Sequence, residues 1–181
     1  MRLPSLSLVI GGTASGKSAF AEGLVHQSGL AKVYLATAEA LDAEMQIKID
    51  SHREARAGQG WRTVEAPRDP APPLAQLEAE EVALFDCATL WLTNVMLDGR
   101  DWEDEADQLI EVMTLTVAPV VVVTNEVGQS IVPDTKLGRQ FQRAQGVLNQ
   151  RLAAEADLVV LVTAGLPTVL KNTQPQGGTP W

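Results

Sequence analysis

The clearest chemical signal in the sequence is a glycine-rich segment that ends in lysine and serine. Residues 11–18 satisfy the phosphate-loop pattern G-x-x-x-x-G-K-[ST]. Glycines let backbone amides turn toward phosphate oxygens, Lys17 supplies positive charge for the β- and γ-phosphates, and the Ser18 hydroxyl can bind Mg²⁺. The pattern predicts a site for ATP or GTP. Its predicted nucleotide-binding residues are Gly11, Gly12, Thr13, Ala14, Ser15, Gly16, Lys17 and Ser18.

The neighbouring segments supply the context that a phosphate loop requires. The apolar run Leu6–Ile10 predicts a buried strand before the loop, and residues 16–27 predict a helix after it. An accidental glycine turn would share the residue types, but it would not need both neighbours. The N-terminus of the following helix adds a positive partial charge for phosphate.

A carboxylate is expected near the phosphate loop, because a phosphate-bound Mg²⁺ usually takes one from the end of a neighbouring strand. Asp86 directly follows the apolar run Val82–Phe85 and is the candidate. The alternative is a solvated aspartate that only ends the strand. Asn125 and Glu126 follow another apolar strand, and for them a structural role in the loop is as plausible as a catalytic one.

A second candidate centre is His52, which shares a predicted helix face with Arg56 at spacing i,i+4. An imidazole can attack phosphorus, and a nearby guanidinium can hold charged phosphates. The other interpretation is a structural or exposed histidine in an ordinary charged helix. From these residues alone, that second interpretation is preferred.

The order of the elements predicts the fold class. Short apolar strands alternate with amphipathic helices, which indicates an α/β fold with a mainly parallel sheet and helices on both faces. We therefore predict a single P-loop NTPase-like domain over residues 1–171 and an irregular C-terminal tail over 172–181. Further strands are predicted at Val33–Ala36, Trp61–Glu65, Val120–Thr124 and Leu158–Val162, and helices at residues 41–57, 89–97, 102–117 and from Asp134 to Ala156, with a surface loop over 66–73.

Composition and charge exclude some further classes of protein. The 181 residues carry 14 basic and 23 acidic side chains, for a net charge of −9, which argues against general nucleic-acid binding. No apolar run is long enough to span a membrane, and the N-terminal residues lack the pattern of a signal peptide. A single cysteine, Cys87, suits a reducing cytoplasm.

Beyond these single features, the sequence resembles the bifunctional adenosylcobinamide kinase / adenosylcobinamide-phosphate guanylyltransferase family of cobalamin biosynthesis. The resemblance is collinear from about Leu6 to Lys171. It is carried by Gly11-Gly12 with Ser15-Gly16-Lys17-Ser18, Tyr34-Leu35-Ala36-Thr37-Ala38, Asp42-Ala43-Glu44-Met45, His52-Arg53 with Arg56, Trp61-Arg62-Thr63-Val64-Glu65, Asp86-Cys87-Ala88-Thr89-Leu90-Trp91-Leu92-Thr93-Asn94, Val123-Thr124-Asn125-Glu126-Val127-Gly128 with Ile131-Val132-Pro133, and Asn149-Gln150-Arg151-Leu152-Ala153.

The resemblance implies two reactions. The aminopropanol hydroxyl of adenosylcobinamide would be phosphorylated by ATP or GTP. GTP would then guanylylate a histidine, which looks like His52, and the GMP would pass to adenosylcobinamide phosphate to give adenosylcobinamide-GDP. Mg²⁺ would accompany the nucleotide, with Ser18 and Asp86 as its ligands, and Lys17 would act with His52 in catalysis.

The resemblance also implies further nucleotide contacts and a homo-oligomer, plausibly a trimer. The implied contacts outside the phosphate loop are Thr37, Ala38, Glu39, Arg53, Glu54, Ala55, Arg56, Glu65 and Asp86. The chain departs from the family pattern at Ala14, where arginine is usual, at Ala57, where proline is usual, and at Gln142-Arg143, where Arg-Asp is usual.

Two other functions would use part of the same residues. A monofunctional P-loop kinase for another small hydroxyl substrate would keep Lys17 and Asp86 but would not need His52 with Arg56 and Glu65. A nucleotide-sensing binding protein would use the loop to control a partner interaction. Steady turnover of adenosylcobinamide would exclude the binding protein.

Overall fold

Seven strands form one sheet in the order β3-β2-β4-β5-β1-β6-β7. The structure is a computed structural model that describes residues 2–40 and 43–173, without the side chains at positions 44, 45, 48, 52 and 55. The strands are β1 Leu6–Gly11, β2 Ala31–Ala36, β3 Trp61–Glu65, β4 Glu81–Asp86, β5 Val120–Asn125, β6 Leu158–Thr163 and β7 Leu166–Asn172. The helices are α1 Lys17–Ser28, α2 Ala43–Arg56, α3 Ala71–Ala75, α4 Ala88–Leu97, α5 Trp102–Leu115 and α6 Lys136–Glu155.

The first six strands are parallel, and β7 pairs antiparallel with β6. Alternate residues of each central strand enter opposite cores, since successive side chains point to opposite faces. In β1, Leu8 and Ile10 pack with residues of α3, α4, α5 and α6, whereas Val9 packs with residues of α1. The prediction of an α/β domain with helices on both faces is confirmed.

The parallel arrangement positions the site, because the carboxyl ends of β1, β2, β4 and β5 lie at one edge of the sheet. Gly11 at the end of β1 pairs with Asn125 at the end of β5. Ala36 at the end of β2 pairs with Asp86 at the end of β4. Loops that follow these strands therefore converge, as expected for ligand sites of open parallel sheets.

Three details differ from the sequence predictions. The segment predicted as a loop over 66–73 runs into the short helix α3, which carries proline in its first turn, where a missing N–H costs nothing. Thr135 rather than Asp134 caps α6, because its hydroxyl accepts a hydrogen bond from the Gly138 N–H at 3.1 Å. Strand β7 was not predicted, and it includes Asn172, the first residue of the predicted tail; residues 174–181 lie outside the described part.

Among the described helices, none is long and apolar enough to cross a membrane.

Candidate active site

The phosphate loop connects β1 to α1 and has room only for glycine at two positions. A Cβ at Gly11 would lie 2.4 Å from the Ser15 hydroxyl oxygen and 2.6 Å from the Val162 carbonyl oxygen. Gly16 has φ of 92° and caps α1, and a Cβ there would lie 3.1 Å from the Cα of Gly165. Backbone crowding at Gly11 and a left-handed conformation at Gly16 therefore explain why this turn requires glycine.

Two contacts hold the loop in this form. The Gly165 N–H, in the turn between β6 and β7, donates to the Ser15 carbonyl at 2.8 Å. The Lys17 ammonium donates to the Gly12 carbonyl at 3.1 Å, so this side chain folds back over its own loop. Burial lowers the pKa of Lys17, and the nearby Cys87 and Asp86 oppose that shift. The negative charge of Asp86 therefore acts on the Lys17 ammonium.

The end of β4 is fixed by Thr37, which follows β2. The Thr37 hydroxyl donates to the Cys87 carbonyl at 2.8 Å and accepts from the Cys87 N–H at 2.7 Å. Asn94 of α4 donates to the Thr37 carbonyl at 3.0 Å. Thr37 is buried, and its described contacts hold Asp86 and Cys87 in place.

The side chains at the end of β4 differ in what they can do. The Tyr34 hydroxyl donates to Asp86 Oδ2 at 3.0 Å. Burial and the Asp86 charge raise the pKa of Tyr34 well above its usual range, so the phenol stays protonated as a donor. Burial, followed by Asp86, also raises the pKa of the Cys87 thiol to about 12, which leaves Cys87 protonated and poorly nucleophilic at neutral pH.

The helix α2 contains His52, Arg53, Glu54, Ala55 and Arg56. The side chains of His52 and Ala55 lie outside the described residues, and those of Arg53 and Glu54 are exposed. Arg53 forms an ion pair with Glu65, at the end of β3. The Arg56 side chain is only 6% exposed and stacks on Tyr34. The backbone thus brings His52 and Arg56 one turn apart on one helix, as predicted.

The remaining predicted contacts lie on the loop after β2. Ala38 and Glu39 are partly buried, and Glu39 forms an ion pair with Arg68, which also bonds Asp98 at 2.7 Å. In the phosphate loop, Thr13 and Ala14 are exposed, and Ala14 has a left-handed φ of 57°. The roles of all these residues toward a nucleotide stay predictions.

No separate role was predicted for Tyr34 from the sequence. Tyr34 appeared only as part of a motif, although a tyrosine in the strand beside the one that ends in Asp86 is a signal that could have been used. Arg56 was predicted as a phosphate contact, and its burial against a ring was not foreseen. Parallel strand register, not visible in spacing alone, brings these residues together.

A metal ion here would need ligands from outside the protein. The hydroxyl of Ser18 and the carboxylate of Asp86 are hard oxygen donors of the kind that Mg²⁺ prefers, and α1, which contains Ser18, packs against β4. Among the side chains that the structure describes, no three from His, Cys, Asp or Glu converge as a metal site. The residues fit a magnesium ion that takes its other ligands from water and a bound triphosphate.

A phosphate loop at the carboxyl end of a parallel sheet, with an aspartate at a neighbouring strand end, defines a P-loop nucleotide-binding protein. Solved structures with this fold include the RadB recombinase, with a TM-score of 0.51 and 15% identity over 87% of this chain and 74% of that one. A protein of Pyrococcus horikoshii has a TM-score of 0.52 at 9% identity, over 96% of this chain and 89% of its own. These likenesses show the fold alone.

The particular family follows from sequence comparison. Residues 7–170 match the cobinamide kinase / cobinamide phosphate guanyltransferase family, and the chain belongs to that family. The bifunctional adenosylcobalamin biosynthesis protein CobP of Pseudomonas aeruginosa is 41% identical over 168 residues, covering 91% of this chain and 96% of that protein. The bifunctional adenosylcobalamin biosynthesis protein CobU of Escherichia coli is 40% identical over 180 residues, covering 91% and 98%. The predicted family is confirmed.

Proposed function

We propose that this chain phosphorylates adenosylcobinamide with ATP or GTP and then converts the product to adenosylcobinamide-GDP. The observation that carries the proposal is the phosphate loop at the same edge of the sheet as Asp86, in a chain matched by its family over residues 7–170. The names of the similar proteins from Pseudomonas aeruginosa and Escherichia coli support a bifunctional enzyme of cobalamin biosynthesis.

In the first reaction, the aminopropanol hydroxyl oxygen attacks the γ-phosphorus of ATP or GTP. The bond from that phosphorus to the bridging oxygen breaks, and the nucleoside diphosphate leaves. The hydroxyl proton passes to solvent or to the new phosphate. Lys17 and the loop amides stabilise charge on the phosphates, which is the main contribution a protein makes to phosphoryl transfer.

In the second reaction, a ring nitrogen of His52 attacks the α-phosphorus of GTP, and pyrophosphate leaves. The product is a histidine–GMP phosphoramidate. An oxygen of adenosylcobinamide phosphate then attacks the same phosphorus, the P–N bond breaks, and His52 is released. The first attack requires an unprotonated ring nitrogen, and covalent catalysis divides the transfer into two displacements.

Several further features belong to the proposal. Ser18 and Asp86 would hold a bound Mg²⁺, which would neutralise charge on the triphosphate. Apart from Arg56, the remaining nucleotide contacts are those that the family resemblance implies, including Glu65 for guanine discrimination. The reactions take place in the cytoplasm, in keeping with a sequence whose single cysteine, Cys87, cannot form an internal disulfide. The chain acts as a homo-oligomer, and we propose that it is a trimer.

The experiment that tests the covalent step is incubation with α-labelled GTP and Mg²⁺, followed by mass spectrometry of the labelled peptide. The wild-type protein should carry an acid-labile GMP on the peptide that contains His52. His52→Asn should carry none and should keep at least part of its kinase activity, because phosphorylation does not need the intermediate.

A matched control is His26→Asn, since His26 is the other histidine of the chain and is exposed on α1. This variant should label like the wild type. Normal guanylyl transfer by His52→Asn would refute the covalent mechanism and leave a simpler kinase.

A further inference from the structure

One aromatic ring connects the predicted metal carboxylate to the helix that contains His52. Tyr34 lies in β2, and its hydroxyl donates to Asp86 Oδ2 at 3.0 Å. On the face of the same ring, the guanidinium carbon of Arg56 lies 3.5 Å from the ring centroid. Trp61 packs edge-on against the ring at 6.0 Å between centroids. The tyrosine therefore has separate contacts for its hydroxyl, its face and its edge.

Arg56 is held in an unusual way for a buried cation. Its side chain is 6% exposed, and Nη1 lies 3.9 Å from Glu22 Oε1 on α1. Within the described residues, Nε and Nη1 have no hydrogen-bond partner. A buried charge is costly unless another interaction compensates it. The Glu22 carboxylate and the close stack on Tyr34 both do so, the stack because a guanidinium over an aromatic face is attracted by the ring quadrupole.

The stack is important because Arg56 lies on the same helix as His52. Arg56 is the last residue of α2, and His52 lies one helical turn before it. The stack fixes the C-terminal end of α2 against β2, while the hydroxyl of the same ring fixes a carboxylate oxygen at the end of β4. Motion of the helix and rotation of the carboxylate are thereby resisted by one side chain.

We propose that Tyr34 and Arg56 are positioning residues, which join the carboxylate of Asp86 to the helix that carries His52. The inference rests on the proposed function for the roles of Asp86 and His52. In this arrangement Arg56 acts through its planar stack on Tyr34 and not as a charge on the nucleotide phosphates. Lysine would keep the charge but lose the planar stack.

The test uses Mn²⁺ in place of Mg²⁺ and follows its binding by electron paramagnetic resonance, in the presence of a non-hydrolysable GTP analogue. Tyr34→Phe retains the ring for Arg56 and Trp61 but removes the donor to Asp86. We expect the Mn²⁺ dissociation constant to rise about tenfold, as for loss of one hydrogen bond to a charged group. Affinity for the analogue without metal should stay unchanged.

The matched control is Thr116→Val, which removes a hydroxyl that donates to the Leu74 carbonyl at 3.0 Å, outside the site. It should leave Mn²⁺ binding unchanged. Thermal unfolding of each variant separates local from global effects. Mn²⁺ binding by Tyr34→Phe as tight as that of the wild type would overturn the positioning role.

The role of Arg56 is tested by Arg56→Lys alone and combined with Tyr34→Phe. Because both residues act through one link, the double variant should bind Mn²⁺ no more weakly than Tyr34→Phe. Arg56→Lys should also slow guanylylation of His52 while affinity for the analogue stays unchanged. Wild-type behaviour of Arg56→Lys in both assays, or additive loss in the double variant, would contradict the proposal. Mn²⁺ binding is measured without turnover, so its result stands even if the wild-type protein forms no guanylyl-histidine.

Discussion

Lys17 contacts its own loop in the structure, and this contact suggests how the lysine would serve both proposed reactions. Its ammonium bonds the Gly12 carbonyl at 3.1 Å, a bond it can exchange for a phosphate oxygen when a nucleotide arrives. The same loop would hold the triphosphate whether the γ- or the α-phosphorus is attacked. Loss of Lys17 should therefore slow both half-reactions to a similar extent.

We predict that Lys17→Ala lowers the rates of both kinase and guanylyl transfer by about a hundredfold or more, since it removes a preorganised charge from the transferred phosphate. Separate assays of adenosylcobinamide phosphorylation and of histidine labelling measure the two rates. Lys136→Ala, at an exposed position on α6, is the control. Full activity of Lys17→Ala in either assay would show that this loop does not hold the reacting triphosphate.

Glu65 is the residue proposed to discriminate guanine. Its side chain is 66% exposed and is paired with Arg53, so Glu65→Ala should change the free energy of unfolding by less than about 1 kcal/mol. The expected effect is a lower preference for GTP over ATP in histidine labelling, measured by competition between the two nucleotides. Arg62→Ala, on the same strand β3 as Glu65, breaks an exposed ion pair with Glu81 and is the control. An unaltered preference in Glu65→Ala would remove this residue from the specificity site.

The sequence allows the residues with chemical roles to be predicted better than the contacts that those residues make. The phosphate loop and Asp86 follow from local residue types and the preceding strands. The contacts of Tyr34 and Arg56 depend on the register of β2 beside β4 and on the packing of α2, which involve residues far apart in the chain. Burial of Thr37 has the same origin, because its hydroxyl bonds the peptide of Cys87 from a neighbouring strand.

At the scale of elements, the phosphate loop depends on the turn between β6 and β7. The Gly165 N–H bonds the Ser15 carbonyl at 2.8 Å, and a Cβ at Gly16 would lie 3.1 Å from the Cα of Gly165. We predict that Gly16→Ala destabilises the protein by about 1–2 kcal/mol or more, because φ of 92° disfavours any Cβ and the added atom would crowd backbone. Nucleotide affinity should fall with it, since the loop must shift.

The control for this prediction is Gly23→Ala within the same helix. A Cβ at Gly23 would meet nothing within 4 Å, so alanine should stabilise the protein by about 0.5–1 kcal/mol. Urea unfolding of both variants measures the difference. A Gly16→Ala protein as stable as Gly23→Ala, with unchanged nucleotide affinity, would contradict the proposed crowding.

The central strands are buried and could be predicted from their apolar residues, whereas the strand that was missed is mostly exposed. Strands β1 and β5 are almost wholly buried, and their continuous apolar residues mark them in the sequence. Strand β7 is mostly exposed and contains Pro167, Thr168 and Lys171, so it has no apolar pattern. Its pairing with β6 is a tertiary feature that follows the turn at Ala164 and Gly165, both with positive φ.

At the scale of the whole molecule, β7 ends the sheet and leaves apolar side chains at that edge. Leu166 is 71% exposed and Leu170 is 58% exposed. An exposed edge strand can pair with another chain, and exposed apolar side chains add a driving force for association. This edge is therefore the place where we expect the proposed homo-oligomer to form. Because the turn before β7 contacts the phosphate loop, association would also brace the nucleotide site.

The last prediction tests this surface. The wild-type protein should have the mass of an oligomer, plausibly a trimer, by light scattering at micromolar concentration. Leu170→Lys should reduce that mass to a monomer, because a charged side chain on an edge strand opposes pairing. Leu115→Lys, at a residue 73% exposed at the end of α5, should leave the mass unchanged. A monomeric wild type would refute the oligomer, and an unchanged mass for Leu170→Lys would exclude β7 as its interface.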